Sequence, residues 1–216
     1  MPRTSLASPA AAGIHRRTAS LWLGAVALGG LLSACDQPST GGHATPFKGI
    51  DISGAPYGKG FALTDFNGQP RTLADYSGQV VMLYFGFVQC PDVCPTALTR
   101  AAAVKQQLGT DAEKLQVIFV TVDPERDTPE LLREYMAAFN PSFMALTGSA
   151  EQIRATADEF RVYYKKVPTG STYTMDHTAL SYLFDPEGRI RVVLRHEQTA
   201  DDYTADIRQL LAEKPV

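Results

Sequence analysis

Three residues of the 216-residue chain form a chemically competent set. Cys90 and Cys94 stand in Phe85-Gly-Phe-Val-Gln-Cys-Pro-Asp-Val-Cys-Pro95, and His177 in Met175-Asp-His-Thr178. In a helical turn, cysteines four apart would have Cα atoms about 6 Å apart along the axis. That is inside the ~6.8 Å limit for a disulfide, so the pair can bridge or clasp one metal ion. At a helix N-terminus the partial positive charge stabilises thiolates. A purely structural disulfide here would close a very short loop and restrain little of the unfolded chain. A lone histidine is more often structural than a ligand, but two nearby thiolates reverse that balance. Two soft thiolates and an imidazole suit Cu(I) and can also hold Cu(II) or Zn(II). Zinc on such a set would need a fourth ligand or water.

The elements that must position this set are legible along the chain. Residues 79–88 (QVVMLYFGFV) and 115–122 (LQVIFVTV) are near-continuous apolar runs, as strands buried on both faces require. Between them, 95–108 is helix-forming, with Pro95 in the first turn and Gly109 just past the end. The cysteines therefore fall where a buried strand hands over to a helix, the usual binding end of an open α/β sheet. Thr128 and Pro129 cap and open a helix to about Phe139. Residues 143–147 read as a strand, and Ser149 to Gln152 as a capping box starting a helix to about Phe160. A short strand at 162–166 and a polar loop at 168–176 lead to a strand at 179–184. Asp185-Pro-Glu-Gly188 turns this into 190–194, a β-hairpin. Residues 199–212 close the chain as an amphipathic helix, with Tyr203, Ile207, Leu210 and Leu211 on one side. Earlier, 60–66 alternates weakly before the turn signal Asn67-Gly68. The order implies an α/β fold with helices on both faces of one sheet, without repeats or a second domain.

The N-terminal segment reads as an address. Arg16-Arg17 precede the 12-residue apolar run Leu21 to Leu32, followed by Ser33-Ala34-Cys35. A basic start, a short apolar core and small residues describe a secretory signal peptide; a membrane span needs about 20 residues. Leu32-Ser33-Ala34-Cys35 resembles a bacterial lipobox, with Cys35 as the lipidated new N-terminus, and Asp36 resembles an inner-membrane retention signal. Residues 1–35 are thus expected to be the signal, 36–59 a Gly/Pro/Ser/Thr-rich flexible tether, and 60–216 the folded domain. Of the other histidines, His15 lies in the signal, His43 in the tether, and His196 reads as solvent-facing. Hydrophobic residues make up 44% and charged residues 20%, ordinary globular proportions. The chain has 20 Lys+Arg, three of them before Cys35; the remaining 17 face 23 Asp+Glu, a net charge of −6. An acidic body without a basic cluster excludes nucleic-acid binding as the leading class.

Tyr84-Phe-Gly-Phe-Val-Gln-Cys-Pro-Asp-Val-Cys-Pro95, Val122-Asp-Pro-Glu-Arg-Asp-Thr128 and Asp176-His-Thr178 together resemble the Sco/SenC family of copper-binding cytochrome c oxidase assembly proteins. The match runs from about Phe61 to Leu211. The resemblance implies a thioredoxin-like fold, with a central mixed sheet, helices on both faces, a late β-hairpin and a C-terminal helix. It implies that Cys90, Cys94 and His177 are copper ligands. It also implies a client: the copper centre of cytochrome c oxidase subunit II, or another periplasmic copper protein. With Cys35 as lipid attachment, the expected place is the periplasmic face of a bacterial inner membrane. A thiol–disulfide oxidoreductase acting on the client's cysteines and a copper or redox sensor are the rivals. Thioredoxin-type reductases use Cys-x-x-Cys and a cis-proline opposite; this chain has one more residue between its cysteines and no proline between Pro168 and Pro186. Phe87 stands where peroxiredoxins place a threonine.

Other residues carry weaker expectations. Asp123 and Asp127 are read first as turn formers or caps, with Asp123 and Arg126 as an alternative partner-recognition rim. Asp176 is read either as the group orienting His177 or as a turn residue, and Asp92 as a turn residue. Met175 is read as packing before an axial copper contact, and Tyr163-Tyr164 as strand packing.

Overall fold

Burial on both faces explains the most apolar strands, and the sheet is built outward from them. The computed structural model describes residues 46–213; the expected signal peptide, Cys35 and the first part of the tether lie outside them. In chain order the elements are β1 (Ile50–Asp51), β2 (Ala62–Asp65), β3 (Pro70–Thr72), β4 (Val80–Gly86), α1 (Val93–Leu108), β5 (Leu115–Thr121), α2 (Pro129–Phe139), β6 (Met144–Thr147), α3 (Ala150–Glu159), β7 (Tyr164–Thr169), β8 (Thr172–His177), β9 (Leu180–Phe184), β10 (Ile190–Arg195) and α4 (Ala200–Ala212). Short 3-10 turns cover Leu73–Tyr76 and Gly109–Lys114.

Eight strands form one sheet in the order β1-β10-β9-β4-β5-β6-β2-β3. β4, β5 and β6 are parallel neighbours, and the other pairings are antiparallel. All seven residues of β4 are buried. Its alternation assigns the layers: Gly86 faces α1, and Tyr84 packs near Phe119, which in turn meets Tyr135 of α2. Phe85, one residue out of phase, packs on Phe160 at the end of α3 and on Tyr182. α1 also contacts α2 and α4, so three helices cover one face and α3 the other. This is the mixed sheet with helices on both faces that the sequence implied.

Local signals place the helix ends. Thr128 accepts a hydrogen bond from the Leu131 N–H with Pro129 opening α2, and Ser149 and Gln152 form the capping box of α3. The β9–β10 hairpin forms at 185–189, where buried Asp185 accepts from the Arg189 N–H and pairs with Arg189 and Arg191.

Two expectations are corrected. From residue 46 onward the expected tether is part of the domain. Phe47 is buried, β1 pairs with β10, and the Lys48 and Gly49 N–H groups donate to the buried carboxylate of Asp206 at 2.6 and 2.8 Å. A Gly/Pro/Ser-rich composition reports chain flexibility in isolation, whereas α4 supplies an acceptor that pins this stretch. The expected loop at 168–176 is instead half of a hairpin: β7 and β8 pair from Tyr164↔His177 to Thr169↔Thr172 as a separate two-stranded ribbon. Gly170, at φ 63°, supplies the left-handed residue that a two-residue hairpin turn needs. β7 is exposed along most of its length and lacks the polar–apolar alternation that marks a half-buried strand; β8 carries that alternation in Tyr173, Met175 and His177.

Candidate metal centre

The carboxyl ends of β4 and β5 open at the same edge, because the two strands are parallel. β9 runs antiparallel to β4, with Ser181 opposite Tyr84, so β9 begins where β4 ends. His177, three residues before β9, is thereby delivered to the loop that follows β4. Cys90 lies in that loop and Cys94 in the first turn of α1. The topology thus brings together residues 83 positions apart.

The Cys94 Sγ lies 3.5 Å from His177 Nε2, and the Cys94 N–H donates to Cys90 Sγ at 3.4 Å. One ligand atom from each of the three residues falls within 4.8 Å of the others. First-row ions bound at about 2.0–2.3 Å span about 4–4.6 Å between opposed ligands, so the set fits one ion with little adjustment. Cys90 and Cys94 are free, buried thiols, and His177 is half-buried. Among the described residues, no further His, Cys, Asp or Glu completes this cluster. A low-coordinate site with two sulfurs favours Cu(I) over tetrahedral zinc.

The imidazole is held by its neighbours. The rings of Tyr84 and Phe87 stand edge-on to it at 6.2 and 5.8 Å. His177 Nδ1 lies 3.1 Å from the Thr178 carbonyl, which can only accept, so Nδ1 donates to it and Nε2 is left facing the sulfurs. Asp176, one candidate for this role, is exposed on the opposite side of β8; alternation directs Tyr173, Met175 and His177 inward instead.

The two thiols are electrostatically unequal. A hydrogen bond from the Cys94 thiol is the largest cause holding Cys90 down, to about 4; burial opposes it, and His177 with the backbone N–H groups of Asp92 and Cys94 reinforces it. The Cys94 thiol is pushed up, first by that hydrogen bond to Cys90 and then by burial. One proton of the pair therefore leaves readily and the second is retained. The Tyr84 phenol, also buried, is pushed up mainly by desolvation, with the two neighbouring cysteines adding to the shift.

The acidic motif supports the site from behind. Asp127 is buried, accepts from the Thr121 hydroxyl at 2.6 Å, and accepts from the Val88 N–H of the cysteine loop. Asp123 pairs with Arg126 and accepts from the Tyr173 hydroxyl at 2.8 Å. Neither acid is a free rim residue. Met175 is buried in the core, Asp92 is exposed, His196 is half-buried rather than solvent-facing, and Tyr163 is 55% exposed rather than packed. Sequence reasoning passed over Tyr173, Gln89 and Thr178; the β-prone run Thr172-Tyr173-Thr174 is the signal that pointed to a strand there.

A profile of the SCO1/SenC family matches residues 51–212. A bovine mitochondrial SCO2 homolog is 39% identical over 163 residues, 73% of this chain and 61% of the relative. Bradyrhizobium japonicum ScoI, solved with copper bound, is 42% identical with a TM-score of 0.65, covering 70% of this chain and 98% of that one. A SCO1/SenC family lipoprotein from Bacillus anthracis is 26% identical with a TM-score of 0.61, covering 70% of this chain and 92% of that one. The chain spans about three fifths of the length of the bovine relative. Among the described residues no helix is long and apolar enough to cross a membrane. The profile match extends from the end of β1 to the end of α4 and contains both cysteines and His177, and on that basis the chain belongs to the SCO1/SenC family.

Proposed function

We propose that this protein is a membrane-tethered copper carrier that takes copper as cargo on Cys90, Cys94 and His177. It passes the ion to the copper centre of cytochrome c oxidase subunit II, held at the periplasmic face of a bacterial inner membrane by lipid on Cys35. The observation that carries the reading is the convergence of two sulfurs and the His177 Nε2 within 4.8 Å. The copper-bound relative at 42% identity supports the choice of ion, and the lipoprotein relative supports the anchor. Each side chain has a distinct part. Cys90 offers a ready thiolate, Cys94 gives up its proton as the ion arrives, and His177 closes the site. Tyr84 and Phe87 keep bulk water from the imidazole. Oxidation of Cys90 and Cys94 to a disulfide would remove both thiolates and end binding.

The asymmetry of the thiols favours one second reading. An ionised Cys90 ahead of a buried, protonated Cys94 is also what a thiol–disulfide reductase uses: attack by Cys90, then resolution by Cys94. Anaerobic Cu(I) titration of the reduced protein against a chromophoric chelator separates the two, comparing wild type with His177→Ala. One copper per chain, with retention sharply weakened in the variant, is the expected result. Equal, weak retention by both proteins, together with equal reduction of a client disulfide, would replace the carrier reading with the reductase.

A further inference from the structure

We infer that Arg126 is a positioning residue: its guanidinium ties the histidine-bearing ribbon to the cysteine loop and so sets the reach of His177 to the sulfurs. This rests on the carrier reading of the same site.

The β7–β8 ribbon is a sheet of its own, without strand pairing to the eight-stranded sheet. Side chains must therefore seat it. The Lys166–Glu125 ion pair is exposed on both sides and pairs of that kind contribute about 0–1 kcal/mol. Arg126 is different. Its Nη1 donates to the Tyr173 carbonyl at 2.7 Å and to Gln89 Oε1 at 3.1 Å, and its Nε donates to Asp123. Its guanidinium carbon lies 3.7 Å from the centroid of the Tyr173 ring. Asp123, 1% exposed, closes the circuit by accepting from the Tyr173 hydroxyl.

Gln89 immediately precedes Cys90, and Tyr173 precedes His177 by four residues on the same face of β8. One planar cation therefore bridges the segments that carry the two halves of the metal site while touching none of the three ligands. Lysine is a poor substitute, because an ammonium lacks the planar fork that lets Arg126 lie flat on the ring while donating to three acceptors. Loss of the clamp should free the His177 arm first, because the cysteine loop keeps its Val88–Asp127 and Cys94–Cys90 hydrogen bonds. Supporting partners around metal ligands typically change metal affinity by about 10–100-fold.

The test uses the full chain, reduced, as Arg126→Ala, His177→Ala and the double variant. Copper-free protein is examined first, by NMR of the His177 ring: wild type should give one sharp set of signals and Arg126→Ala broadened or shifted ones. Cu(I) competition should then show a loss of about tenfold or more in Arg126→Ala. The double variant should bind no more weakly than His177→Ala alone, because the clamp acts only through the histidine. Nitrogen coupling in the electron paramagnetic resonance spectrum of the Cu(II) form should weaken in Arg126→Ala, with partial rescue at most in Arg126→Lys. If Arg126→Ala does not fold, Arg126→Lys and its double variant are judged by the same criteria. Unchanged His177 signals, or losses that add in the double variant, overturn the inference. A wild type that holds no copper, or holds it independently of His177, overturns the carrier reading, while the NMR comparison still decides the clamp.

Discussion

Gly86 ends β4 directly beneath the metal centre, and replacing it with alanine tests how tightly that centre is built. A methyl group there would stand 2.7 Å from Cys94 Sγ and 2.7 Å from Cε2 of Phe119, against ordinary contacts of 3.4–4 Å. The neighbours must yield by 0.7 Å or more, the gap from 2.7 to 3.4 Å, on two sides. Neither can do so freely: Cys94 and Phe119 are both fully buried, one fixed in the first turn of α1 and the other in the central strand β5. Overpacking of this kind costs about 1–3 kcal/mol. Replacing glycine also restricts the unfolded chain, which returns about 0.4–1 kcal/mol. Packing wins, and Gly86→Ala should lose about 1–2 kcal/mol in urea denaturation of the reduced apoprotein. The larger effect should be on metal. Ligand constellations tolerate errors of about 0.5 Å, so a displaced Cys94 sulfur should weaken Cu(I) retention by tenfold or more, about 1.4 kcal/mol. A variant with wild-type midpoint and copper affinity within about twofold of wild type would refute this account of the packing.

Three further outcomes follow from the charges and anchors. Because the Cys90 thiol is held at about 4 while Cys94 keeps its proton, copper uptake at neutral pH should release about one proton per chain rather than two. Calorimetry in buffers of contrasting ionisation enthalpy reads that number, and a release of two would refute the thiol assignment. Burial raises Asp127 from 3.8 to about 6, so the folded state holds this proton more tightly than the unfolded chain. That contribution is present below pH 3.8 and is lost as pH rises through 6. The difference of about 2 pH units corresponds to about 3 kcal/mol, so Asp127→Asn should gain that much on wild type between pH 4 and 7; parallel denaturation curves would exclude it. Asp206→Ala leaves the Lys48 and Gly49 N–H groups without their acceptor. It should cost about 1–3 kcal/mol and expose residues 46–60 to limited proteolysis, whereas an equally resistant variant would show that β1 seats independently of α4.

The amino-acid sequence determined, within a residue or two, the elements whose signals are local. Thr128-Pro129 and Ser149 to Gln152 carry their helix starts within a single turn. The runs 79–88 and 115–122 are apolar because each strand is covered on both faces, a requirement visible in composition alone. The β9–β10 turn is written in four residues. The candidate set of Cys90, Cys94 and His177 was legible because cysteine and histidine are scarce in this chain and their chemistry is specific.

What the sequence left open was decided by partners far away along the chain. The stretch from residue 46 to 60 docks because Asp206, 158 residues after Lys48, accepts its backbone. In the ribbon at 164–177, β7 is exposed on both sides, so burial prints no periodicity on it, and pairing with β8 creates it. The orienting partner of His177 is the Thr178 carbonyl rather than Asp176, because strand alternation turns the carboxylate outward. Arg126 and Tyr173 meet across 47 residues. Local propensity and hydrophobic pattern act over a few neighbouring residues, whereas side-chain seating depends on which surfaces the completed sheet brings within hydrogen-bonding distance. Only the tertiary structure could settle that second set.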